Sequence, residues 1–343
     1  MKKRTLKLLT LAMLITSVMY NCKKKDEPFP TEPDQGLTEE LNKIELPTIT
    51  LTTPAAVTST ESSVAVSAKT AAVASAMSEI TPDNIPAAAT EAAAEVSANL
   101  SAGDVSTLNS VNAETIAAIS AGGALPANLK TVMDKIAANP VLKAYMPALT
   151  LPTVGGTTIS GTRTSAPEAV ESTNGVLVED ACLVKANAVF DAVKAKLDAS
   201  RAAENTKIAN AYAANIAPLA AAETACTGAI PAKYAALATE ANALSASAQS
   251  KLDAAQSALG SNYELLSALN KIQLLSYLSS LNTLKAADLK ACAAKTTAGT
   301  TNAAAARDAD IAKVTANYTT ALATATEAKT KLVESCHNQG GGN

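Results

Sequence analysis

Apolar residues fall three and four apart over long stretches of the C-terminal half of this chain. Tyr234, Leu237, Ala241, Leu244, Ala248, Leu252, Ala255 and Leu259 form one series; Ile311, Val314, Tyr318, Leu322, Ala325, Leu332 and Cys336 form a second. That alternation keeps one stripe of an α-helix facing a partner, and alanine within it lets helix axes come close. Between the two series, "YELLSALNKIQLLSYLSSLNTL" carries leucines on more than one face and predicts the most buried helix. Asn270, Lys271, Gln273 and Asn282 within it argue against a membrane span. From 176 to 336 the glycines are Gly228, Gly260 and Gly299. Read as helix stops, they cut the region into four helices. Pro231 follows the first stop, a Ser-x-x-Glu capping box at 261–264 the second, and Asn302 can cap the helix after the third. The expectation for 176–336 is an antiparallel four-helix bundle or coiled coil.

The N-terminal half reads differently. Within an N-terminal helical domain at 46–159, residues 55–148 break into short pieces at "TPDNIP", "SAGD", "VNAET", "AGGALP" and "NP". Val105, Leu108, Val111, Ile116, Ile119, Leu129, Val132, Ile136, Leu142 and Tyr145 recur at helical spacing, predicting a small domain of four to six short helices. "LPTITLTTP" (46–54) and "LTLPTVGGTTISGT" (149–162) alternate apolar residues with threonine, and are expected to lie together as short strands, with Gly155-Gly156 at a tight turn. Residues 22–45 are charged and proline-punctuated, the composition of an extended tether; 160–175 read as a linker and 337–343 as a flexible tail.

Composition sharpens this to one fold class. Alanine fills 76 of 343 positions, which explains a 48% hydrophobic content beside 3% aromatics and no tryptophan. Alanine is the strongest helix former, so the chain is all-α, with Leu/Ala seams in place of aromatic clusters. One internal echo stands out: "RAAENTKIANAYAANIA" (201–217) matches "RDADIAKVTANYTTALA" (307–323) in its Arg, acid, Lys, aliphatic and Tyr positions. The expected reading is a duplicated helix with Ile208/Tyr212 and Val314/Tyr318 facing in. The ladders Arg201–Glu204–Lys207 and Arg307–Asp310–Lys313 then face solvent. A duplicated contact site is the other reading.

The first 21 residues hold Lys2, Lys3, Arg4 and Lys7, then "LLTLAMLITSVMY", an apolar run too short to span a bilayer. The run ends at "VMYNC", with Cys22 last. This stretch resembles a bacterial lipoprotein signal peptide, and "CKKKDE" resembles the Lys-then-acidic tract of surface-displayed Bacteroidetes lipoproteins. Asn21 and Met19 depart from the small residue and Leu usual before the cysteine. The resemblance implies cleavage before Cys22, diacylglycerol on its sulfur and an acylated amino group, hence an outer-membrane anchor and display at the cell surface, with the periplasmic face as the alternative. Several acyl chains hold far more firmly than one. An ordinary secretory signal, leaving Cys22 a thiol, is the alternative. Without residues 1–21 the net charge is −7, which disfavours nucleic acid and polybasic adhesion to anionic lipid.

Four cysteines remain: Cys182, Cys226, Cys292 and Cys336, spaced 44, 66 and 44 apart about residue 259. In an exported protein an even count reads as two disulfides. Local pairs, Cys182–Cys226 and Cys292–Cys336, would lie at the ends of unbroken helix, about 66 Å apart, where a bridge needs α-carbons within about 7 Å. The nested pairing survives: Cys226–Cys292 closes a hairpin turning at Gly260, inside Cys182–Cys336. A further turn at Gly299 would leave Cys336 about 20 Å short of Cys182, so the outer pair needs the first helix to break at Pro218 or to start elsewhere.

Chemistry is sparse. The single histidine, His337, has no metal-ligand or catalytic partner near it in sequence, and Glu179-Asp180 sit where they answer a helix dipole. No nucleophile elbow, phosphate-binding glycine loop or His-Glu-x-x-His occurs. The expectation is a non-enzymatic, lipid-anchored envelope protein without cofactor, serving as a spacer or docking surface for an unknown envelope protein. The alternative is a ligand-binding lipoprotein with a site between the two domains, for which a cavity lined by Tyr145, Tyr263 or Tyr277 is the sign. A third reading is a helical protein that acts on membranes.

Overall fold

The computed structural model describes residues 32–159 and 181–338, with side chains as far as Cys336. The signal peptide, Cys22, Glu179-Asp180, the 160–175 linker and the side chain of His337 lie outside the described residues. The fold is all-α. Short helices come first: α1 (Gln35–Asn42), α2 (Ala68–Ser78), α3 (Ala87–Asn99), α4 (Ala102–Asn109), α5 (Ala113–Ser120), α6 (Ala127–Ala138) and α7 (Pro140–Lys143). Two long ones follow, α8 (Ala181–Ala254) and α10 (Asn262–Asn338), joined through α9 (Gln256–Leu259).

Local chemistry explains the short helices. The side chains of Ser67, Ser101, Asn112 and Asn139 each accept from backbone N–H groups at the start of α2, α4, α5 and α7. Ser101 and Asp104 complete a capping box. Five strands of two or three residues accompany them: β1 (Ser59–Thr60), β2 (Ser63–Ala65), β3 (Ala148–Thr150), β4 (Thr153–Val154) and β5 (Thr157–Thr158). β4 and β5 turn at Gly155 and Gly156, whose φ angles of 60° and 77° suit glycine. The partner of this threonine-rich piece is not 46–54. β1 pairs with β4, and β2 with β3, all antiparallel. Residues 46–54 form no strand; Leu46 is instead buried against helix.

The chain divides into two compact units that do not follow the linear order of domains. Among the described residues, the first takes 32–51, 181–210 and 308–338; the second takes 52–159 and 211–307. In the first unit, α1 is a correction to the expected extended tether. Asp34 caps it, and Leu41 is fully buried in a core with Leu46, Leu197, Val314 and Leu332. Lys196 pairs with Glu45 at 2.8 Å and Lys185 with Glu32. Cys182 and Cys336 are joined here, with α-carbons 5.9 Å apart. In the second unit, Cys226 and Cys292 are joined at the same separation. Its core is built on the leucine-rich part of α10: Leu266, Leu269, Ile272, Leu275 and Leu278 are 0–1% exposed. α2–α7 pack their apolar faces there.

The count of four helices in 176–336 is corrected, among the described residues, to two long helices joined by the short α9. Gly260, with φ +55°, makes the one reversal. Gly228 and Gly299 lie inside α8 and α10, as do Pro218 and Pro231 inside α8. At Gly299 an added β-carbon would stand 3.0 Å from Leu219 Cδ2, so the glycine serves close helix approach, not termination. Asn302 caps nothing; its amide donates to the Ala55 carbonyl at 2.8 Å. With α10 unbroken, the shortfall calculated for Cys336 disappears.

Candidate functional site

The two predicted seams are buried or half-buried along their length, with two exposed exceptions. Ile311 is 40% exposed, and Leu244 is 66% exposed. Leu244 belongs to a groove in the second unit, bounded by α2, α8 and α10, with a volume of about 390 Å3. Each wall is a helical stripe. α2 and the residue leading into it contribute Val66, Thr70, Ala74, Met77 and Ser78; α8 contributes Leu237, Ala241, Leu244, Ala248 and Lys251. From α10 come Asn270, Gln273, Leu274 and Tyr277. The volume lies within the range of small-molecule sites, which are mostly apolar with a few placed polar groups.

The wall formed by α2 is held firmly. Ser67 Oγ donates to the Ala144 carbonyl at 2.6 Å, and Thr70 Oγ1 to the Tyr145 carbonyl at 2.7 Å. Val73 and Ala76 bury the opposite face. Asn270 is also committed: its amide donates to the Ser245 carbonyl, and its Oδ1 accepts from Ser245 Oγ, both at 3.0 Å. Other polar groups on the groove are unspent. Gln273 Nε2 is buried without a hydrogen-bond partner. Glu240, Lys251 and the Tyr277 hydroxyl, all lining the groove, make no side-chain hydrogen bond or ion pair among the described residues. Burial, then the nearby charge of Glu240, raises the Tyr277 phenol above its ordinary range.

Of the three tyrosines expected at a cavity, Tyr277 alone lines this groove. Tyr145 is 1% exposed, a core residue whose hydroxyl donates to Glu95 Oε2 at 2.8 Å. Tyr263 donates to Asp253 at 2.9 Å. Two other clefts lie in the same unit. One, of about 440 Å3, runs beside the Cys226–Cys292 bridge and is lined by Pro54, Ala55, Leu219 and Lys295. A smaller one, of about 250 Å3, includes Tyr234. That phenol is already engaged, 2.8 Å from Ser62 Oγ and 2.7 Å from Asp288 Oδ2. No cluster of three or more metal-ligating side chains occurs among the described residues, and no described helix is long and apolar enough to cross a membrane.

The repeated segments are packing partners, with one correction. Arg201 lies over the Tyr318 ring at 4.2 Å, and Arg307 over the Tyr212 ring at 4.8 Å, so the first position of each copy meets the twelfth of the other. Ile208 and Val314 are buried as expected. The acids of the ladders do not face solvent: Glu204 is 5% and Asp310 2% exposed. Their lysines reach in from the surface, Lys207 at 2.5 Å and Lys313 at 3.0 Å.

Sequence reasoning placed Leu244 in the seam and used Gln273 only as an argument against a membrane span. Their shared groove depends on α2 leaving part of the helix pair uncovered. The structure thus defines an all-α protein carrying an apolar groove on a disulfide-linked helix pair. Comparison of the chain with protein-family models, with curated proteins and with solved structures gives no match.

Proposed function

We propose that this chain is a non-enzymatic binding protein of the cell envelope, lipid-anchored through Cys22 to the outer membrane and displayed at the surface, with the α2/α8/α10 groove as its binding surface. The groove is the observation that carries this reading: an apolar lining, Tyr277 on its wall, and polar groups not spent on the fold. Exposed large apolar side chains at its edges, Val66 at 54% and Leu244 at 66%, point the same way. The anchoring half rests on "VMYNCKKKDE". Cys22→Ser should leave the protein unprocessed or released from the membrane fraction and unlabelled by radioactive fatty acid. A variant that still fractionates with membranes and takes up label normally overturns the anchor. Protease treatment of intact cells that spares the mature chain overturns surface display. The binding half is tested by an apolar fluorophore such as anilinonaphthalene sulfonate, which should bind the purified protein at one site and lose it when Ala241→Phe fills the groove.

A second reading, a rigid spacer or docking surface, is favoured by the two bridges on α8 and α10. Membrane insertion of the leucine-rich helix is disfavoured, because Leu266, Leu269, Leu275 and Leu278 already form the core of the second unit.

A further inference from the structure

We propose that the cleft beside the Cys226–Cys292 bridge takes a small free aminothiol of the cysteine class, whose thiolate exchanges with the bridge. This inference does not rest on the α2/α8/α10 groove. The register of the helix pair places the parts. Cys226 is joined to Cys292, and a β-carbon added at Gly299 would meet Leu219, so each step back along α8 is matched by a step forward along α10. In that register Glu223 stands across from Lys295, one helical turn from the bridge. Both charged residues and both cysteines line the cleft. Pro54 and Ala55 form its other wall, held in place by the Asn302 amide on the Ala55 carbonyl at 2.8 Å.

Two features set the chemistry. The first is a disulfide that a solute can reach: Cys226 is half-buried and lines the cleft, whereas Cys182 and Cys336 are buried and line none of the three clefts described above. The second is charge. Glu223 and Lys295 do not pair with each other, and neither side chain makes a hydrogen bond or ion pair elsewhere among the described residues. A carboxylate and an ammonium facing across a cleft match a solute that brings one of each. A free aminothiol with an α-carboxylate does so and adds a sulfur nucleophile; a cysteine inside a peptide carries neither charge. The solute's ammonium pairs with Glu223, its carboxylate with Lys295, and its thiolate attacks Cys226 Sγ. A new S–S bond forms to Cys226, and the Cys226–Cys292 bond breaks with its electron pair on Cys292 Sγ, which takes up the proton that the attacking thiol lost. One disulfide replaces another, so no oxidant or reductant is consumed.

The test treats the purified full-length mature protein carrying Cys22→Ser with an excess of L-cysteine or of N-acetyl-L-cysteinamide, which has the same thiol and neither charge. Acid quenching, alkylation of free thiols and peptide mapping then follow the inner bridge with time. At equal thiolate concentration L-cysteine should open it about tenfold faster than the amide, the factor that two screened ion pairs supply together. Cysteine should be recovered on Cys226 and the alkyl group on Cys292. Glu223→Gln and Lys295→Met should each cut the preference for L-cysteine about threefold, with unchanged melting temperatures showing that the variants fold. Equal rates for the two thiols in the wild type, or a preference that survives both substitutions, overturns the aminothiol site. Faster opening by the amide assigns a peptide-borne thiol and overturns the free solute. A bridge that neither thiol opens overturns the exchange, and cysteine recovered on Cys292 overturns the direction of attack.

Discussion

At the scale of single residues, half-buried carboxylates paired with lysines govern how the protein answers to pH. A hydrogen bond from Lys69 at 2.5 Å, with another from Tyr145, holds the Glu95 carboxyl below its ordinary range. A carboxylate with a lowered folded value stabilises the fold above its ordinary value of 4.5, and that contribution fades as pH falls through the folded value. Asp104, lowered by Lys135 and Ser101, and Asp198, lowered by Lys194 and Tyr318, act in the same direction. Urea midpoints of the wild type should therefore drop between pH 6 and pH 3, with a shallower drop in Glu95→Gln. Tyr145→Phe removes one donor to Glu95 and should cost about 1 kcal/mol at neutral pH; a stability equal to wild type would show that this bond contributes nothing. The site was hardly legible at this scale. Tyr145, Tyr263 and Tyr277 look alike in sequence, yet the first two spend their hydroxyls on Glu95 and Asp253. Only the third faces a groove. Gln273 on a leucine-rich stretch reads as a solvating residue until α2 is placed beside it.

At the scale of elements, apolar spacing was a good guide and glycine a misleading one. The all-α class, the short helices of 55–148 and the burial of the leucine-rich helix were readable from the three-and-four alternation and from capping residues. Helix number was not, because a glycine ends a helix only where nothing else holds the turn. Around Gly228 and Gly299 the flanking alanines favour helix, and packing of α8 against α10 sustains it through both. The strand partners were missed for a similar reason. Threonine-apolar alternation occurs at 46–54 and not at 58–65, which reads "TSTESSVA", yet the second segment supplies the pairing strands, through tertiary placement that periodicity does not encode. The glycines give a paired prediction. Gly228 is exposed inside α8 with nothing within 4 Å of an added β-carbon, so Gly228→Ala should stabilise by about 1 kcal/mol. Gly260 holds φ +55° and ψ −126°, so Gly260→Ala should cost about 1–3 kcal/mol despite equally open space. Thermal melts of the two variants should move in opposite directions; a shift of both the same way would mean that local backbone preference is not what separates them.

At the scale of the whole molecule, the bridges fix the unfolded chain more than the folded one. Cys226–Cys292 closes a loop of 66 residues and contributes about 4 kcal/mol in the chain-entropy account. The Cys226→Ser/Cys292→Ser protein should keep its helical circular dichroism, since the seam around Leu252, Leu259 and Leu266 needs no bridge, while melting at lower temperature. Loss of helical signal would mean instead that the bridge is required for the helices to form. The nested connectivity was legible because the spacing is symmetric about residue 259, beside Gly260, and because a rigid helix cannot bring its own ends together. α1 bears on the anchor as well. The cap at Asp34 and the fully buried Leu41 fasten the chain to the first unit only a short way after Cys22. Fully extended, the stretch from Cys22 to Asp34 can reach no farther than about 40 Å. If Cys22 carries lipid, the first unit lives on a short leash: it stays within the headgroup-proximal layer of the envelope, and anything it meets must come to the membrane.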